Sequence, residues 1–95
     1  MSAYFVLQID WTDEPGRKRY IEGISGMIEK HGGRYIVASR DFRTVEGSWE
    51  KPLLVIIEFP SMEALMGWYD SPEYRPWRDL RLKSSRSNAV VTGGV

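Results

Sequence analysis

No cysteine occurs in the 95 residues, which excludes disulfides, thiolate nucleophiles and cysteine metal sites. With one histidine, His31, a dedicated transition-metal or haem site is not expected, although His31 could still serve alone as an axial ligand. There is no excess of either charge. Thirteen basic and thirteen acidic residues cancel, so nothing in the overall charge attracts nucleic acid or an anionic membrane, and neither is an expected partner. No apolar run is long enough to span a bilayer. The stretch Met1 to Asp10 has no basic leader and ends in a charge, so it reads as a strand and not as a signal peptide, pointing to a cytoplasmic protein. Also missing are a phosphate-cradling glycine loop with a downstream lysine, a Gly-x-Ser-x-Gly elbow and a dinucleotide fingerprint. No cofactor is therefore expected. With no internal repeat, low-complexity segment or linker, residues 1–95 form one domain, small enough that association would help to stabilise it.

What is present is a regular alternation of strand and helix signals. Tyr4 to Ile9 places Phe5, Leu7 and Ile9 on one face and Tyr4, Val6 and Gln8 on the other, a strand with two largely apolar faces. After Asp13-Glu14-Pro15, a plausible helix start, Tyr20, Ile24, Met27, Ile28 and His31 recur at steps of three and four and predict one amphipathic helix. Gly32-Gly33 supplies the left-handed residue that ends it, and Arg34 to Ser39 resumes a strand. Ser39 to Lys51, charged and holding Gly47, reads as a strand end and a hairpin-like loop. Pro52 to Phe59 is apolar in succession and predicts a central strand buried on both faces. Ser61 is a candidate N-cap for a helix that turns Met62, Leu65, Met66 and Tyr69 inward. Ser71-Pro72 starts another, reaching Leu80 and Leu82, and Ala89 to Thr92 closes the chain as a short strand before Gly93-Gly94.

This order predicts an α+β, ferredoxin-like split βαβ fold with a four-stranded antiparallel sheet. Helices would cover one face of that sheet. The other face, carried by strands apolar on both sides, would be an exposed hydrophobic patch unless a second copy covered it, so a homodimer is expected.

Four stretches carry a family resemblance: Lys30-His31-Gly32-Gly33-Arg34-Tyr35, Val45-Glu46-Gly47-Ser48-Trp49, Ile57-Glu58-Phe59-Pro60-Ser61 and Trp68-Tyr69-Asp70-Ser71-Pro72-Glu73-Tyr74, followed by Arg81. The chain resembles the bacterial family known as domain of unknown function 1330, of the dimeric α/β-barrel superfamily. Ser39-Arg40-Asp41-Phe42 departs from the glycine-rich turn that many relatives have there. The resemblance implies a dimeric α/β barrel with no established activity. Superfamily relatives include cofactor-independent monooxygenases of quinol-like aromatics, haem-degrading enzymes and lactone isomerases.

The residues that could carry chemistry follow from burial and charge. Glu58 ends an apolar strand, so its carboxylate needs a partner, and Arg34 and Arg81 are the candidates. That combination is either a structural ion pair or part of a ligand site. His31 sits at a helix C-terminus, where a cation is favoured, and is a helix-end residue or a base. Glu58 and His31 are the candidate catalytic groups. Trp68, Tyr69, Tyr74 and Trp77 either fill the core or line a flat pocket for an aromatic ligand. Trp49, in a polar loop beside Glu46 and Gly47 and near Arg40, Arg43 and Lys51, would cap a pocket or cross a dimer interface. The expected ligand site is therefore Arg34, Glu46, Trp49, Trp68, Tyr69, Tyr74 and Arg81, between sheet and helices, with no metal. It would suit a small aromatic or carboxylate-bearing compound, handled by proton transfer or oxygenation. The competing reading is a non-catalytic dimeric module whose aromatics and ion pairs are structural.

Overall fold

The computed structural model describes all residues, 1–95. Four strands, β1 (Ala3–Trp11), β2 (Arg34–Ser39), β3 (Leu53–Phe59) and β4 (Ser85–Gly93), form one antiparallel sheet in the order β2-β3-β1-β4. Four helical segments connect them: α1 (Glu14–Gly23), α2 (Met27–Lys30), α3 (Met62–Tyr69) and α4 (Arg75–Ser84). This is the expected ferredoxin-like arrangement. The sheet is open, with β2 and β4 as its edges, and does not close into a barrel within the chain.

Period-two alternation decides which side chains meet the helices. Ala3, Phe5, Leu7 and Ile9 of β1 and Val55, Ile57 and Phe59 of β3 are buried under the helical layer, together with Tyr20, Ile24, Ile28, Leu65, Trp68 and Tyr74. Tyr4, Val6 and Gln8 pair with Glu58, Ile56 and Leu54 on the opposite face, where they are only partly buried. The predicted two-faced burial of β3 thus holds for one face of the chain taken alone. The other face has no helix over it.

Three boundaries differ from expectation, each for a local reason. The helix predicted through His31 is broken at Ser25-Gly26, because Gly26 takes the left-handed conformation (φ 79°) and restarts the chain as the short α2. Gly32, also left-handed, then makes the turn into β2 as predicted. Ser71 begins a turn instead of a helix, and α4 starts at Arg75. Pro76 has no N–H to give to the carbonyl of Pro72, so the helical ladder cannot run unbroken from Pro72. Ser71 Oγ still accepts the Tyr74 amide (3.0 Å), and Ser71 donates to the Trp68 carbonyl (2.8 Å). Finally, β4 begins four residues before Ala89, pairing Ser85 with Trp11. As an edge strand it carries polar side chains without a burial cost, so its first half shows no apolar signal.

Two close approaches fix the helical layer. A Cβ at Gly23 would run into the Trp77 ring, so only glycine lets α1 lie this near α4. The Ser84 carbonyl at the end of α4 accepts both the Thr12 and Asp13 amides (2.8 and 3.1 Å), tying α4 to the end of β1.

Candidate functional site

α3 packs on β1 and β3, and α4 on α1 and β4, while Tyr35 and Ala38 on the helix-facing side of β2 stay exposed. A cleft of about 400 Å³ results between the sheet and α1. Its floor is Phe5, Leu7 and Ile9 of β1 with Leu53, Val55 and Ile57 of β3. Tyr20 and Ile21 of α1 with Ile24 just after it form one wall, Tyr35 and Ala38 of β2 the other, and Trp68 borders the end beside Phe5. Thirteen of the sixteen lining residues are hydrophobic, so the space favours an apolar guest. The polar remainder, Ser25, Gly26 and Glu29, comes from the α1–α2 corner and the helix beyond it.

Behind this cleft lies an aromatic nest built by α3 and the turn after it. Trp68 stacks on Phe59 (centroids 5.4 Å apart), meets Phe5 edge-on (5.3 Å) and lies 4.4 Å from Tyr74. The Tyr20 and Tyr74 hydroxyls are hydrogen-bonded at 2.6 Å in the interior. Arg81, 2% exposed, points into the same region; its Nη1 donates to Ser87 Oγ (3.0 Å) and its guanidinium lies 6.0 Å from the Phe5 ring centre. No carboxylate pairs with it. Burial alone would lower the Arg81 pKa, but the oxygens of Tyr74 and Tyr20 outweigh it, so the group is held in its charged form above the ordinary value. Two donors in this region, Trp68 Nε1 and Arg81 Nε, are buried without any acceptor. Buried donors are almost always paired, and an orphaned one costs about 1–3 kcal/mol.

Both cleft tyrosines are poor acids. Burial, then Tyr74, pushes Tyr20 well above its usual value. Burial, then Glu29, raises Tyr35 to about 12. They are donors at neutral pH.

The remaining expected site residues do not converge with this group. Arg34 and Glu58 lie on the other face of the sheet: Arg34 Nε donates to Glu58 Oε1 at 2.8 Å and Tyr4 OH to Oε2 at 3.1 Å. The bond from Arg34, then that from Tyr4, holds the carboxyl below its usual pKa. Glu58 is thus partnered by Arg34 and not by Arg81, and a site joining Arg34 and Glu58 to Trp68, Tyr74 and Arg81 is not formed. The single shared strand position explains why: alternation sends residue 58 to one face and residues 57 and 59 to the other. His31 follows α2 with Nε2 3.6 Å from Glu73 Oε1, beside Lys30 Nζ at 2.9 Å from Oε2. Those contacts, Lys30 foremost, lower the Glu73 pKa. His31 does not border the cleft. Tyr69 packs beside Phe5 under the Arg78 guanidinium (5.1 Å) without lining the cleft, and Glu46 and Trp49 are exposed in the loop between β2 and β3.

In the sequence Tyr20 stands out only as a core position, on its helical stripe. A signal was available, since a tyrosine on a buried stripe must find a partner for its hydroxyl. No group of three or more His, Cys, Asp or Glu side chains could hold a metal ion, and no helix is long and apolar enough to cross a membrane.

Comparison with known proteins agrees with this architecture. The family described as domain of unknown function (DUF1330) matches residues 2–95, and the chain belongs to it. No curated protein matches. Among solved structures, the chain is similar to RPA0582, a protein of unknown function from Rhodopseudomonas palustris (14% identity, 99% of this chain and 82% of that one, TM-score 0.78). It is likewise similar to a dimeric ferredoxin-like protein of unknown function from Jannaschia (18%, 99% and 100%, 0.72). A third likeness is to SnoaB, a cofactor-independent oxygenase from Streptomyces nogalater (13%, 99% and 93%, 0.68). At these identities the likeness is one of fold.

Proposed function

We propose that this DUF1330 member binds a small, flat, largely apolar compound in the cleft between α1 and the sheet, and that it works as a homodimer. The observation that carries the reading is a roomy, largely apolar cleft open between the sheet and α1, backed by the aromatic nest of Trp68, Phe59 and Tyr74. Such a site would take an aromatic ring against Phe5, Ile24 and Val55. Of the expected residues Trp68 borders the cleft, joined by Tyr20, while Tyr74 and Arg81 stand behind them without lining it; Glu58 and Arg34 pair on the other face, and His31 sits beside Glu73.

The reading extends to cofactor-free chemistry on that compound, by proton transfer or oxygenation. It is supported by tyrosine and arginine groups that can hold a proton and a developing charge, and by the shared fold with a cofactor-independent oxygenase; fold alone does not carry activity. The dimer is supported by the uncovered face, where Val6, Leu54, Ile56 and Val90 are apolar, and by dimeric proteins of the same fold. A soluble monomer would leave those side chains in water.

The test is a thermal-shift screen of small planar aromatics. Binders should stabilise the protein by RT ln(1 + [L]/Kd), about 2.7 kcal/mol at a hundredfold excess over Kd. Ala38→Trp, which fills the cleft from an exposed strand position, should abolish the shift and leave the fold intact. Shifts that survive Ala38→Trp would place binding elsewhere and refute the reading.

A further inference from the structure

The cleft is apolar along its length and polar at one corner only. Among its sixteen lining residues Glu29 is the single charged one, and no lysine or arginine stands with it. Its carboxylate enters no ion pair and no hydrogen bond, although Lys30 beside it in the chain is held by Glu73. Ser25 Oγ, from the same corner, is likewise without a partner in the protein. Across the mouth stands Tyr35 of β2. Burial, then the charge of Glu29, raises its pKa to about 12, so the carboxylate is near enough to act on that phenol. We propose that the compound bound here carries a primary amine on its apolar, ring-bearing body, with the ring between α1 and the sheet and the ammonium at the mouth against Glu29 and Ser25. The inference rests on the cleft being the ligand site, as proposed above.

An ammonium has three N–H donors and no acceptor, which suits a corner whose side chains supply a carboxylate and a hydroxyl. Glu29 takes one, Ser25 Oγ a second, and water the third. The charge then stays at the rim, where Glu29 and Ser25 are exposed and hydration is kept in part, so only the apolar body enters and no ion is buried. Aromatic neighbours add to the attraction, since Tyr35, Tyr20 and Trp11 line the same cleft with electron-rich rings. A carboxylate-bearing guest would instead meet Glu29 with like charge and find no base in the lining to offset it. Bases outside the lining are engaged with other acids: Arg17 with Glu14, Lys30 with Glu73, Arg34 with Glu58 and Lys51 with Glu50. The competing account is a solvated carboxylate that merely stands at the rim, and it requires binding to be indifferent to the charge of the guest.

The probes are three indoles with the same ring and a short side chain that ends in an amine, an alcohol or a carboxylate: tryptamine, tryptophol and indole-3-propionic acid. In isothermal titration calorimetry at neutral pH and low salt, tryptamine should bind about fivefold more tightly than tryptophol, and the acid more weakly than either, with the spread narrowing as salt is added. Glu29→Gln should remove the advantage of the amine and leave the affinity for tryptophol unchanged. Glu29→Lys should reverse the order of amine and acid. Glu22→Gln, which alters an exposed carboxylate of α1 outside the cleft lining, should change neither. Equal affinities for tryptamine and tryptophol, or an amine preference that survives Glu29→Gln or is lost equally in Glu22→Gln, would overturn this inference while leaving the cleft as a binding site. Failure of all three compounds to bind would overturn the inference and the binding reading together.

Discussion

The two faces of the sheet are made from the same strands and have opposite chemistry. On the helix-covered face, Arg81 and Trp68 hold donors without acceptors, no carboxylate is buried with them, and an apolar cleft opens beside them. On the open face Glu58 is already matched, receiving both Arg34 and Tyr4, and beside it lie the apolar Val6, Leu54, Ile56 and Val90. The lesson is that a charged residue marks a candidate site only when its charge is left unmatched. Glu58, the more conspicuous in the sequence, is neutralised where it stands, while Arg81, buried without an acid, is the group that needs something further.

Removing the centre of the covered face should have the largest effect. Trp68→Ala deletes the ring that touches Phe5, Phe59 and Tyr74, and should destabilise the chain by about 3–5 kcal/mol in denaturant unfolding. A loss under 1 kcal/mol would show that this ring is not the keystone of the covered face. On the open face, Ile56→Lys should convert the dimer to monomer in light scattering after size exclusion, with the fold retained, since Ile56 meets no helix. The same charge at Ile57, which faces the helices, should unfold the protein. Identical outcomes at the two adjacent positions would erase the distinction between faces.

Smaller effects refine the picture. Ser71→Ala removes an acceptor from the Tyr74 amide and a donor to the Trp68 carbonyl, and should cost about 1 kcal/mol. An unchanged midpoint would make this corner an ordinary loop. The smallest effect concerns acid. Because the Glu58 pKa is lowered in the fold, its contribution is fully present above the ordinary carboxylate value of 4.5 and is lost as the pH falls through the lower folded value. Glu58→Gln should therefore flatten the pH dependence of stability below pH 4.5 and leave its shape near neutrality unaltered. A changed slope near pH 7 would point to some other titrating group.

Much of this was legible in the chain. The order of elements followed from the alternation in Tyr4–Ile9, the apolar run Leu53–Ile57 and the glycine stop at Gly32. Even the face of Glu58, shared with Leu54 and Ile56, could be read from parity. What could not be read was which elements stand over which strands. The cleft exists because the helix-facing side of β2 stays exposed, a tertiary fact, and the break at Gly26 that shapes its corner lies inside a stretch with helical periodicity throughout. Arg34 and Arg81 were equal candidates for Glu58 by charge alone. Only the register, which sets Arg34 directly opposite Glu58 on β3, separates them.

The central claim, that the covered cleft is where a ligand binds, is tested most directly by the indole N–H resonances of the four tryptophans in a 15N NMR titration with tryptamine. Assignment by single Trp→Phe replacements identifies each. The Trp68 signal should move with saturable dependence on the compound, while that of Trp49 in the exposed loop stays in place. A stationary Trp68 signal, or movement at Trp49 instead, would contradict the account.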